Sequence, residues 1–135
     1  MIEVGADLPD KIFYLDRELL KRYADASGDQ NPIHQNEEFA VSVGLPNVIA
    51  HGMLTMGRAI QVVTNWVGDP TAVIDYSVRM TRPVVVPDTA TGSVVSFTGK
   101  VAQINEDGTI QVELGAVFGD VKVLGLAKAT VRLAQ

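Results

Sequence analysis

The chain has 135 residues, 47% of them hydrophobic and 20% charged, a composition that suits one globular domain, expected to run over 1–135. A net charge of −5 with no Lys/Arg run argues against a nucleic-acid partner, and the absence of cysteine excludes disulfides, thiolate metal sites and a cysteine nucleophile. No apolar run reaches the roughly 18 residues of a membrane span, and residues 1–10 carry acids but no basic residue, unlike a secretory leader, so a cytoplasmic location is expected.

In chain order, Ile12–Leu15 reads as a short strand. Asp16 is placed as the N-cap of a helix in which Leu19, Leu20, Tyr23 and Ala24 recur at helical spacing, as far as about Ala26. Ser27-Gly28-Asp29 breaks that helix, and Pro32 holds Asn31 out of the helical region. Glu37 to Val43 is a short helix stopped by Gly44-Leu45-Pro46. From Met53 to Val67 the residues are apolar nearly all round, which predicts a buried helix about 22 Å long.

After Pro70 the period changes to two: Ile74, Tyr76, Val78 and Met80 alternate with polar neighbours. Strands are expected over Val94–Gln103 and Ile110–Phe118, joined by the turn Asn105-Glu106-Asp107-Gly108. A last strand, following Gly119-Asp120, carries Val121, Val123, Ala127, Ala129, Val131 and Leu133 on one face. Helices first and antiparallel strands after them make an α+β chain, not an alternating βαβ one. One long buried helix wrapped by a curled antiparallel sheet is the hot-dog fold. Its open sheet edges predict pairing with a second such domain, hence a dimer.

The two histidines, His34 and His51, fall between the predicted helices. Asp29 and His34 stand five apart across an Asn-Pro turn that can bring carboxylate and imidazole to one pocket. Two groups of different proton affinity suit a β-elimination, one taking a proton from Cα and the other serving the leaving hydroxyl. The Cα–H is acidic only where a thioester carbonyl carries the charge as an enolate, so hydrogen-bond donors must face that oxygen. The backbone N–H of Gly52, at the start of the buried helix, is such a donor, aided by the helix dipole. Each residue also has a plainer role: Asp29 as a cap, Asn31 as a turn residue, His34 and His51 as packing histidines, Gly52 as a helix-start glycine.

Taken together, Ser27-Gly28-Asp29-x-Asn31-Pro32-Ile33-His34, then Ala40, then Ala50-His51-Gly52-Met53 resemble the MaoC-type, or R-specific enoyl-CoA hydratase, family of hot-dog proteins. The family's hydratase motif fits from Tyr23 to Ala40, and the likeness extends through residues 51–57 and 65–70 before thinning in the strands. The resemblance implies a hydro-lyase that interconverts (3R)-hydroxyacyl and trans-2-enoyl thioesters. Asp29 and His34 match the catalytic pair, Asn31 a loop-orienting position, and Gly52 the N–H that holds the thioester oxygen. Some members add a hydroxyl where this chain has Ile60, so either the single N–H suffices or Thr55 or another group substitutes.

Within the family the likeness leans to catalytic dehydratase subunits of fatty-acid elongation. That implies an acyl thioester of a carrier protein or of CoA as substrate, and either a homodimer or a heterodimer with another hot-dog subunit. Since the thioester carrier is phosphorylated, a local basic patch is expected near the pocket mouth, at a place the sequence does not give. No cofactor and no metal are expected, because two histidines with sixteen residues between them have no recognised ligand spacing. Two rivals stand beside this reading. One is a non-catalytic subunit that shapes the acyl tunnel, but such subunits usually lack the Asp/His pair. The other is a hot-dog thioesterase, whose chemistry does not use this loop.

Overall fold

The structure, a computed structural model, describes residues 2–133. Residue 1 and residues 134–135 of the expected 1–135 domain lie outside the described residues. Strand β1 (Lys11–Leu15) leads into helix α1 (Arg17–Ser27), whose N-cap Asp16 accepts from the Leu19 N–H at 2.8 Å. A 3-10 turn (Pro32–His34) and helix α2 (Glu37–Ser42) follow, then helix α3 (Gly52–Val67). Strands β2 (Val73–Met80), β3 (Ser93–Ile104), β4 (Ile110–Phe118), β5 (Val121–Lys122) and β6 (Leu124–Val131) complete the described chain.

The strands form one antiparallel sheet in the order β1-β3-β4-β6-β2, with β5 added against β4. Val95, Phe97 and Val101 of β3, Val112 and Ala116 of β4, and Ala129 and Val131 of β6 turn their side chains inward and are fully buried. They meet Leu54, Ala59, Val62 and Val63 of α3, so the sheet curls around the helix as the hot-dog arrangement requires. Each such Val, Leu or Phe contributes about 1.5–3 kcal/mol by leaving water. Tyr76 of β2 bonds its hydroxyl to the Met56 carbonyl at 2.7 Å, tying the edge strand to the helix, and burial pushes its phenol well up.

Two details depart from the pattern read in the sequence. Helix α3 buries one face, not its whole circumference: Met53 is 63% exposed, since the sheet of a single chain covers one side only. The last strand is split into β5 and β6. Its register against β2 shifts between Ser77 and Arg79, and Leu126 bulges out with φ 46 and 75% exposure, so period two does not run through it. Leu133, expected in that strand, lies just past its end and is partly buried against the core.

What places the site is a network behind the N-terminus of α3. Residues 48–50 run alongside 84–86, with Ala50 N–H to Val84 O and Val86 N–H to Val48 O, both at 2.8 Å. Arg17 braces this segment: its Nε donates to Val86 O at 2.7 Å and its Nη2 to Asn47 Oδ1 at 2.9 Å, with Glu37 of α2 at 3.3 Å.

Candidate active site

Gly28 ends α1 in the left-handed conformation, φ 82, which a side chain would strain. Two side-chain turns then fold the chain back on itself. Asp29 Oδ1 accepts from the Asn31 N–H and Asn31 Oδ1 from the Ile33 N–H, each at 3.2 Å. Pro32 starts the 3-10 turn with its φ already fixed. The outcome is that Asp29 Oδ2 and His34 Nε2 stand 3.9 Å apart, as the spacing predicts. Asn31 spends its side-chain oxygen on the Ile33 N–H within the loop.

His34 is buried and its Nδ1 lies 2.7 Å from the Ile49 carbonyl oxygen. A carbonyl only accepts, so Nδ1 carries the hydrogen and Nε2 presents a lone pair towards Asp29. The Ile49 N–H donates in turn to Ile33 O at 3.2 Å, so the turn carrying His34 is held from two directions. The Asp29 side chain is half exposed.

Gly52 opens α3, where first-turn N–H groups have no acceptor within the helix and the dipole is positive. It shares a cavity of about 300 Å³ with His34, Thr55, Met80, Arg82 and Val123. Asp29 and Asn31 are not in that lining; Asp29 stands beside His34. Thr55 brings a hydroxyl into the cavity, 3.5 Å from the His51 carbonyl, whereas Ile60 packs against the core. Arg82 is the one lysine or arginine in that lining.

His51 is where the sequence says least and the structure most. It precedes α3 but makes no side-chain cap bond. Its ring is 1% exposed and stacks on His34 with centroids 3.9 Å apart and planes at 25°. Tyr23 of α1 flanks it at 4.8 Å. Nε2 lies 3.2 Å from the Asp29 carbonyl oxygen, so this nitrogen carries the hydrogen and donates. Burial lowers its proton affinity below the ordinary 6.5 and the neighbouring His34 adds to this; the bond to Asp29 O and the Asp29 charge oppose it. No local pattern links residues 34 and 51; the only signal was that both histidines fall in one short segment.

Asp29, His34 and His51 bring one ligand atom each to within 4.8 Å of one another. Imidazole lone pairs lie in the ring planes, and these planes are stacked, so the two nitrogens do not aim at a common point. The set suits proton transfer between acceptors better than capture of an ion.

Residues 7–117 match the MaoC-like domain family. The chain is 45% identical over 71 residues to 3-hydroxyacyl-thioester dehydratase X of Mycobacterium tuberculosis, covering 53% of this chain and 24% of that protein. It is 35% identical over 82 residues to the (R)-specific enoyl-CoA hydratase of Rhodospirillum rubrum, covering 60% of this chain and 56% of that one. A solved MaoC-like dehydratase superposes with a TM-score of 0.94 and 42% identity, over 98% of this chain and 41% of that one. The chain thus spans about a quarter of the first curated relative and two fifths of that solved structure.

Proposed function

We propose, the chain belonging to the MaoC-like domain family, that it is a hydro-lyase interconverting (3R)-hydroxyacyl and trans-2-enoyl thioesters, with Asp29 and His34 as the proton-transferring pair. The observation that carries this is the 3.9 Å separation of Asp29 Oδ2 and His34 Nε2, with His34 and Gly52 lining one cavity. One oxygen, of a water or of a substrate hydroxyl, fits between the two groups at ordinary hydrogen-bond length of each.

In the dehydrating direction the lone pair of His34 Nε2 takes the Cα proton. The electrons of that C–H bond move to the thioester oxygen, where the Gly52 N–H and the α3 dipole stabilise the enolate. The Cβ–O bond then breaks as the Asp29 carboxyl gives its proton to the departing hydroxyl, which leaves as water, and the proton that His34 took from Cα passes to Asp29 to restore both groups. Hydration reverses each step: water held between Asp29 and His34 attacks Cβ, and its proton is delivered to Cα on the same face. Asn31 keeps Asp29 and His34 in register; for the thioester oxygen either the Gly52 N–H suffices or Thr55 turns its hydroxyl away from the weak bond to the His51 carbonyl to serve as a second donor.

The substrate's carrier, acyl carrier protein or CoA, carries phosphate, and Arg82 at the cavity supports either. The role proposed for this chain is the dehydration step of fatty-acid elongation. The working unit is a pair of hot-dog domains: β1 and β2 leave the sheet open at both edges, and the uncovered side of α3 exposes Met53. A homodimer forms when the chain is made alone, and a heterodimer when a second hot-dog subunit is present. The proposal places this hot-dog domain in the cytoplasm and gives it no cofactor or metal. Among the described residues no helix is long and apolar enough to cross a membrane.

Crotonyl-CoA and a longer enoyl-CoA, followed at the enoyl-thioester absorbance band, test the reading. Loss of the band with a (3R) product supports it. Release of free thiol from an acyl-CoA, without hydration, would replace it by a thioesterase.

A further inference from the structure

The chemistry above leaves one buried imidazole unused. We infer that His51 is a positioning residue of the site: its Nε2–H holds the Asp29 backbone while its ring sets the plane of His34. The inference rests on the reading of Asp29 and His34 as the reacting pair. Three observations carry it. The Nε2 bond, at 3.2 Å, ends on the carbonyl of the residue whose carboxylate must meet the hydroxyl. The ring stacks on His34 at 3.9 Å, with Tyr23 of α1 on its flank. His51 also directly precedes Gly52, so the donor proposed for the thioester oxygen shares its backbone.

A residue retained for packing alone would not look like this. Nδ1 of His51 is buried without a hydrogen-bond partner among the described residues. A phenylalanine would fill similar space and leave no orphaned nitrogen, since buried polar atoms normally find partners. The imidazole tolerates that orphan while its other nitrogen clamps the Asp29 loop. The loop after α1, the 3-10 turn and the start of α3 are thereby fixed around one ring. The groups facing that ring are His34 from the turn, Asp29 from the loop and Tyr23 from α1. A neutral ring between them leaves His34 free of a like charge when it takes the substrate proton.

Two histidines in the whole chain make the test clean. Ring-selective nitrogen–proton spectra of wild type, H51Q and H51F assign each imidazole by its disappearance. The expected result is a His51 ring held as the Nε2–H tautomer at pH 7. Turnover of crotonyl-CoA by the same proteins gives the second readout. H51Q, whose side-chain amide reaches the place of Nε2, keeps kcat within about fivefold. H51F, a ring with no donor, loses about 10–100-fold in kcat with KM nearly unchanged, as a small misplacement of reacting groups does. An Nδ1–H tautomer, or wild-type kcat in a folded H51F, would overturn the inference. Should H51F fail to fold, the wild-type tautomer decides. A wild type that shows the expected tautomer but no turnover counts against the hydro-lyase reading, not against this geometry.

Discussion

The Met80 thioether lies against Gly52: a Cβ built on that glycine meets Met80 Sδ and Cε at 3.3 Å. Edge strand β2 therefore supplies the wall opposite the N-terminus of α3, and Gly52 keeps its N–H open to the cavity because it has no side chain. Met80 is 46% exposed and flexible, so it can give way to a methyl group. G52A is expected to fold with stability within about 1 kcal/mol of wild type, alanine being a good helix former. Its methyl crowds the path to the N–H, and kcat/KM falls about 10²-fold, the loss that removing one oxyanion donor produces. Thermal melts and steady-state rates on crotonyl-CoA check both parts; full activity would remove Gly52 from the site.

Asn31 offers a graded series. N31A loses the acceptor for the Ile33 N–H and is expected to cost about 0.5–1.5 kcal/mol of stability. The larger effect is on turnover, because the same turn sets the distance from Asp29 to His34. N31S, with a hydroxyl that makes the weaker form of this turn, falls between wild type and alanine. Equal rates across the three proteins would mean that Pro32 and the Ile49 contacts hold the turn unaided.

Much of this architecture was legible along the chain. Asp16 as a cap, Gly28 as a stop and the bounds of β4 follow from local rules, and all stand where those rules put them. The pairing of Asp29 with His34 was also local, set by two side-chain turns and a proline. What stayed hidden is tertiary. The stack of His34 on His51 joins rings with sixteen residues between them and no shared periodicity. Leu126 bulges where β6 carries two residues against the single Val78 of β2, between the pairs Ser77–Lys128 and Arg79–Gly125, an irregularity invisible in one strand's pattern. Arg17 itself is a clue in the sequence: a cation in the first turn of a helix opposes the dipole, so its reason lies elsewhere in the fold.

Arg17 yields a stability prediction separate from chemistry. Its guanidinium is mostly buried and bonded to Val86 O and Asn47 Oδ1, joining α1 to the segment behind the site. R17A is expected to cost about 1.5–3 kcal/mol, the range for bonds from a charged donor, and to lower the melting temperature by several degrees. R17K, with one point charge in place of the fork, recovers only part of this. Denaturant unfolding of the three proteins measures it; an unchanged midpoint for R17A would contradict the bracing role.

His51 also makes stability depend on pH. Its pKa in the folded chain lies below the ordinary 6.5, chiefly through burial. The unfolded chain therefore takes up this proton near pH 6.5, while the folded chain does so only at lower pH. Below pH 6.5 the unfolded state binds more protons, so stability falls as pH falls towards the folded value. Melts of wild type between pH 7.5 and 5 should show this slope, and H51Q should flatten it. An equal slope in H51Q would assign the effect to other groups.

The most direct test of the central claim is the rate of loss of the enoyl-thioester band of crotonyl-CoA with wild type, D29N and H34Q, each shown by circular dichroism to be folded. Turnover by wild type and losses of about 10²–10⁴-fold in both variants are expected, the contribution of a positioned acid or base. Both variants keeping most of the wild-type rate would contradict that claim.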